Sequence, residues 1–104
     1  MTDGQQLLAQ YAESGSETAF RELVTRYVDL VYSAAVRLVN GDTHLAEDVT
    51  QTVFADLARK AASLARRPVL TGWLYTSAHF AAAKAVRTER RRHTREEEIG
   101  RAHV

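Results

Sequence analysis

AFRELVTRYVDLVYSAAVRLV, residues 19 to 39, decides the fold. Its apolar residues Phe20, Leu23, Val24, Tyr27, Val28, Val31, Ala34, Ala35, Leu38 and Val39 recur at three- and four-residue spacing, the period of a helix with one buried face. Ser16 is placed to cap this helix, and Glu17 puts an acid in its first turn, where the macrodipole favours negative charge. At the other end Asn40 and Gly41 tolerate the left-handed conformation that closes a helix, and Asp42 or Thr43 can cap the next one.

Working outward, Asp3 with Gln6 three positions on has capping-box spacing. Leu7, Leu8, Tyr11 and Ala12 then give a first helix a narrow apolar stripe, which Gly15 ends. On the C-terminal side, Leu45, Val49, Val53, Leu57, Ala61 and Leu64 form the apolar side of a third helix that is expected to run to Pro68, the only proline. Asp48, Gln51, Thr52, Ala55 and Arg59 share another side of it, and composition fits a solvated face as well as a docking face. A fourth helix follows, with Thr71 as cap and Leu70 placed to pack on Tyr75. Leu74, Ala78, Ala81, Ala82, Ala85 and Val86 give it a shallow apolar face. No strand pattern competes, so the expected architecture is all-α, a compact bundle of about four helices.

Charge is sorted along the chain although the net is only +1. Residues 1–63 carry five basic and nine acidic side chains, residues 64–95 eight and one, and residues 96–104 one and three, giving −4, +7 and −2. The basic block ends in LTGWLYTSAHFAAAKAVRTERRRHTR, residues 70 to 95, where an aromatic opening leads through an alanine-rich middle to an arginine-dense end. Phe80, Lys84, Arg87 and Arg91 fall on one helical stripe that can track a phosphate backbone, with Arg90 beside it. Tyr75 and Phe80 offer faces on which bases can stack. Trp73 does too, although a lone tryptophan at a helix start more commonly anchors a loop. Arg66 and Arg67 stand just before, where cations also suit a helix end.

Other classes fit poorly. There is no cysteine for a disulfide or thiolate site. His79 has no ligand spacing with His44, His93 or His103, so neither metal nor cofactor is assigned, and His79 reads as a phosphate or solvent contact. No apolar run approaches the roughly 20 residues that span a bilayer, and MTDGQQLLAQ lacks the parts of a signal peptide, so no membrane insertion and a cytoplasmic location are expected. No nucleophile stands with a base and a glycine-rich loop, which argues against an enzyme.

The order of these elements resembles region 2 of the sigma-70-type RNA polymerase sigma factors, in the short extracytoplasmic-function (ECF) group. AFRELVTRYVDLVYSAAVRLV is similar to that family's first conserved helix, LAEDVTQTVFADL to its AED-x-x-Q-E-x-F segment, and TGWLY with the basic helix after it to its promoter-facing segment. Together these cover roughly Phe20 to Arg92. The resemblance implies a transcription initiation factor fragment that docks on core RNA polymerase, at the clamp helices of the largest subunit, and recognises and melts the −10 promoter element, holding its non-template single strand. Asp48 and Gln51 fall on docking positions, flanked by Thr52 and Ala55. Thr52 stands where the family usually has Glu, leaving one charged contact of that face unfilled.

Arg66, Arg67, Trp73, Tyr75, His79, Phe80, Lys84, Arg87, Arg90 and Arg91 are the residues expected to meet DNA. Around His79 and Phe80 the family frequently has an Arg-Asn pair, and at Lys84 an acid, so the resemblance leaves promoter preference open. An anti-sigma factor is a further partner class. The family's second domain, which reads the −35 element, would lie beyond this chain. The domain is expected to occupy residues 1–98. Ile99 to Val104 match the translation of a common sequencing adapter and are expected to be a non-native tail. The alternative is a helical DNA- or protein-binding module, a decoy or regulator, that never meets polymerase.

Overall fold

The computed structural model describes residues 3–67 and 69–102. Among them the chain forms five helices and no strand: α1 (Gly4–Ser14), α2 (Glu17–Leu38), α3 (Thr43–Arg59), α4 (Ala61–Leu64) and α5 (Leu70–Ala102). The first three boundaries follow from local chemistry. Asp3 and Gln6 form a reciprocal capping box at the start of α1, Gly15 ends it at φ 68°, and the Ser16 side chain accepts from the Ala19 N–H to start α2. Asn40 and Gly41 turn the chain at φ 56° and 83°, and the choice of cap for α3 falls on Asp42, which accepts from Leu45 N–H.

α2 and α3 pack on one another across the short turn that joins them, and α5 lies against both. α1 closes the other side, resting on α2 and on α4. The core they share contains Leu7 and Leu8 of α1, Leu23 and Val31 of α2, Val49, Val53 and Leu57 of α3, Leu64 of α4, and Leu70, Leu74, Ala78 and Ala82 of α5. Each large aliphatic side chain so buried contributes about 1.5–3 kcal/mol of transfer free energy. Ala12, expected on the apolar stripe of α1, is exposed, and Tyr11 instead stacks on Phe20 with ring centroids 4.7 Å apart.

The C-terminal half departs from the sequence reading in three places. α3 stops at Arg59, and Ala61 and Leu64 belong to the separate short α4, so the single long third helix is replaced by two. The predicted break at Pro68 lies outside the described residues. α5 begins at Leu70, so Thr71 sits inside the first turn and does not cap it. Leu70 is buried in the core while Tyr75 is exposed. Finally, α5 does not stop where the basic block stops, at Arg95. It continues through the acidic run to Ala102, with Arg92 Nε 3.4 Å from Glu96 Oε1 and His93 Nε2 3.0 Å from Glu97 Oε1 along the way.

At 1.5 Å per residue α5 is about 50 Å long. It sets the long axis of the molecule, whose extents are 62 × 23 × 20 Å. Every residue from 87 to 100 is exposed, and only the first turns of this arginine-dense half, through Thr94, border hollows shared with α3 and the α2–α3 turn.

Candidate functional site

The expected site residues fall on α3, on α5 and on the connection before α5. On α3, Asp48, Gln51, Thr52 and Ala55 are all exposed. Packing against α2 and α5 buries Ala46, Val49, Thr50, Val53, Phe54 and Leu57, and the polar strip is the arc that remains. Thr50 spends its hydroxyl on the Ala46 carbonyl at 2.8 Å, so the buried arc leaves no polar group unsatisfied.

On α5, Phe80 is 74% exposed, unusual for so large an apolar ring on a helix whose neighbours Ala78 and Ala82 are buried. At 3.6 residues per turn it shares a stripe with Lys84, Arg87 and Arg91, and Trp73 lies on the same stripe two turns earlier. Trp73 is half-buried against the core yet lines the groove described next, so it both anchors the helix start and presents an edge outward. Tyr75, His79 and Arg90 are exposed but lie about 90 to 150° around the helix from that stripe. The ten expected DNA contacts are thus divided. Phe80, Lys84, Arg87 and Arg91 with Trp73 form one face, Tyr75, His79 and Arg90 another, and exposed Arg66 and Arg67 sit at the end of α4.

The first face opens onto a groove of about 530 Å³ between α3 and α5, lined by Thr52, Asp56, Arg59, Lys60, Trp73, Thr76, Ser77, Phe80, Ala81 and Lys84. It continues along α5 into a second hollow of about 350 Å³ that takes in Asp48, Thr52, Lys84, Thr88 and Arg92. Thr52 and Lys84 line both. The polar strip of α3 and the aromatic and basic stripe of α5 therefore share one rim. On the other flank of the same stripe, Phe80 and Arg87, together with Arg90, line a cleft of about 650 Å³ with Leu38, Ala82 and Val86.

Lys60, Thr76 and Ser77 are groove residues that the sequence reading did not select. Their position comes from the approach of α3 to α5, which no local spacing reports. Asp56 pairs with Arg59 one turn along α3, so the groove's one carboxylate is already neutralised. Among the described residues Lys84, Arg87, Arg90 and Arg91 have no carboxylate within 4.0 Å, whereas Arg92 and His93 have Glu96 and Glu97. Nor do those residues bring together three His, Cys, Asp or Glu side chains that could hold a metal ion. No helix among them is long and apolar enough to cross a membrane.

The exposed polar strip of α3 precedes the aromatic and basic stripe of α5 in the chain. A family model described as Sigma-70 region 2 matches residues 23–92, about two thirds of the chain. The chain belongs to the sigma-70 region 2 family. A search of curated proteins and a search of solved structures each returned no match. As a sigma-70 region 2 domain the protein has a sigma factor's role in transcription initiation, in a family of non-enzymatic transcription factors that work with core RNA polymerase and promoter DNA. The matched span begins at Leu23 in α2 and ends at Arg92 in α5, so it contains both the α3 strip and the α5 stripe.

Proposed function

We propose that the exposed strip of α3 docks the domain on core RNA polymerase, at the clamp helices of the largest subunit, while α5 and the connection before it hold the −10 element as a single strand. Asp48 supplies the charge of the docking strip, Gln51 a two-way hydrogen-bonding amide, and Thr52 and Ala55 a low surface beside them. Bases unstacked from the duplex would rest on Phe80 and at the Trp73 edge of the groove, with Tyr75 and His79 on the other flank. Lys84, Arg87, Arg90 and Arg91 would follow the phosphates, and Arg66 and Arg67 would meet the strand where it enters. The setting is an ECF-type factor in the cytoplasm, with an anti-sigma factor as a partner competing for these faces.

The observation that carries the reading is the shared rim. Thr52 of the docking strip and Lys84 of the basic stripe line the same two hollows, so a strand on α5 lies directly beside the surface that meets polymerase. A module that bound DNA alone would have no need of an unpaired acid at that rim. Capture of core polymerase on the immobilised chain tests this. Asp48→Arg should abolish capture, and Arg87→Ala with Arg91→Ala should leave it intact. If the unmutated chain does not capture core, the decoy or regulator reading replaces this one.

A further inference from the structure

α1 is absent from the span that the family model matches, yet it is built into the fold. Its ends are capped, Leu7 and Leu8 are buried, and it packs on α4, the short helix that leads to Arg66 and Arg67. α4 itself is anchored by Ala61 and Leu64, which are buried in the core, and by little else. It is a single turn of four residues, starts without a side-chain cap, and makes only limited contact with α3. A helix that short is not stable on its own account. Beyond it the backbone N–H groups of Arg66 and Arg67 donate to the Ser63 and Leu64 carbonyls at 3.3 and 3.1 Å, which shapes the turn but does not tie it to the body of the domain.

The tie comes from α1. The Gln5 side-chain amide donates to the Arg67 carbonyl, across 62 positions of sequence. Gln5 is held in place by its neighbour. Gly4 is buried, and a Cβ on it would lie 2.7 Å from Tyr27 Cε2, so the first turn of α1 meets the hydroxyl end of the Tyr27 side chain of α2 at a distance that a Cβ could not keep.

We propose that α1 is a strap for the promoter-facing connection, and that Gln5 is a positioning residue which fixes Arg66 and Arg67 relative to the start of α5. This rests on the reading that the connection meets the −10 single strand, and it adds a residue that touches neither DNA nor polymerase. Gln5 acts on the backbone carbonyl of Arg67, leaving both guanidinium groups free to reach outward.

The test uses the full chain with Gln5→Glu, which keeps the length and shape of the side chain and removes the donor, and Gln5→Ala. The first readout is the rate of tryptic cleavage after Arg66, the Arg67 bond being protected by the following proline. Both variants should raise it about two- to tenfold, the factor that one net hydrogen bond contributes. Cleavage after Arg26, within α2, should stay unchanged. The second readout is affinity for a −10 single-stranded oligonucleotide, which should fall by a similar factor, while capture of core polymerase is unaltered. Gly4→Ala should reproduce both effects by lifting α1 off Tyr27, and a thermal melt checks that the bundle remains folded. Unchanged cleavage after Arg66 in Gln5→Glu overturns the strap whatever happens to DNA binding. Raised cleavage without any binding of the oligonucleotide by the unmutated chain keeps the strap and overturns the promoter reading.

Discussion

The two halves of α5 are one continuous helix with opposite supports. From Leu70 to Val86 the helix is held by burial, with Leu70, Leu74, Ala78 and Ala82 in the core and Ala81, Ala85 and Val86 packed at its edge. From Arg87 onward none of it is buried in the core, and through residue 100 every residue is exposed. The packed half supplies the nucleus that a free helix of this length would lack, and the outer half propagates from it at the cost of fixing one residue per added bond. The difference explains where the charge is placed. A run of arginines is tolerated only where no burial is required of it, so the arginine-dense end projects and the aromatic end, with Trp73 and Phe80, is the part fixed to the bundle.

The largest effect should come from breaking the packed half. Leu74 is fully buried between α5 and the rest of the core, and Leu74→Ala should cost about 2–5 kcal/mol, lowering the melting temperature by roughly 10 °C or more. Arg91→Ala, in the outer half, should stay within about 0.5 kcal/mol of the unmutated chain. A melt in which the two variants behave alike would mean that the outer half is packed in solution and that the contrast is wrong.

Phe80 sharpens the comparison because it sits in the packed half but points away from the core. Phe80→Ala should leave the melt within about 0.5 kcal/mol and weaken binding of a −10 single strand by about 1–3 kcal/mol, the worth of one stacked base. Loss of stability without loss of binding would return Phe80 to a packing role.

How much of this could be read from the chain depends on how local each signal is. Asp3 with Gln6, Ser16, Gly15, Asn40 and Gly41 act within one turn of themselves, and each stands in the structure where its chemistry puts it. The break at Lys60 gives no such signal. Leu57, Ala61 and Leu64 keep helical spacing across it, so periodicity runs on although the backbone turns there. Phe54 and Ala46 were passed over for a different reason. α3 is flanked by both α2 and α5, and two neighbours bury a wider arc than one apolar stripe describes. At the site the split is the same. The spacing of Phe80, Lys84, Arg87 and Arg91 defines the stripe, but the groove and its members Lys60, Thr76 and Ser77 exist only because α3 and α5 meet.

Salt dependence measures the basic residues of α5, all but Lys84 of them in the outer half. If Lys84, Arg87, Arg90 and Arg91 neutralise about four phosphates of a single strand, log K should fall with log salt at a slope near −3, and each Arg→Gln change at 87 or 91 should reduce that slope by about 0.7. Phe80→Ala should lower affinity at every salt concentration with the slope unchanged. Equal slopes for Arg91→Gln and the unmutated chain would remove Arg91 from the phosphate path.

The smallest effect concerns the acids that end the outer half. Glu96 and Glu97 lie one turn beyond Arg92 and His93 and contact them, but in the less favourable order, with the base N-terminal to the acid, and near a helix C-terminus where negative charge meets the macrodipole adversely. Those opposing contributions are each a few tenths of a kcal/mol, so Glu96→Gln with Glu97→Gln should leave the far-ultraviolet helical signal nearly unchanged. If a phosphate backbone follows Lys84 to Arg91, the acids matter instead as negative charge one or two turns away, within the screening length of about 10 Å at 0.1 M salt. Removing both should raise single-strand affinity by about two- to threefold at 0.1 M salt, and the gain should vanish near 1 M, where screening shortens to about 3 Å. A gain that persists at high salt would have to come from a change in helix structure, and would show that the outer half depends on its acids for more than charge.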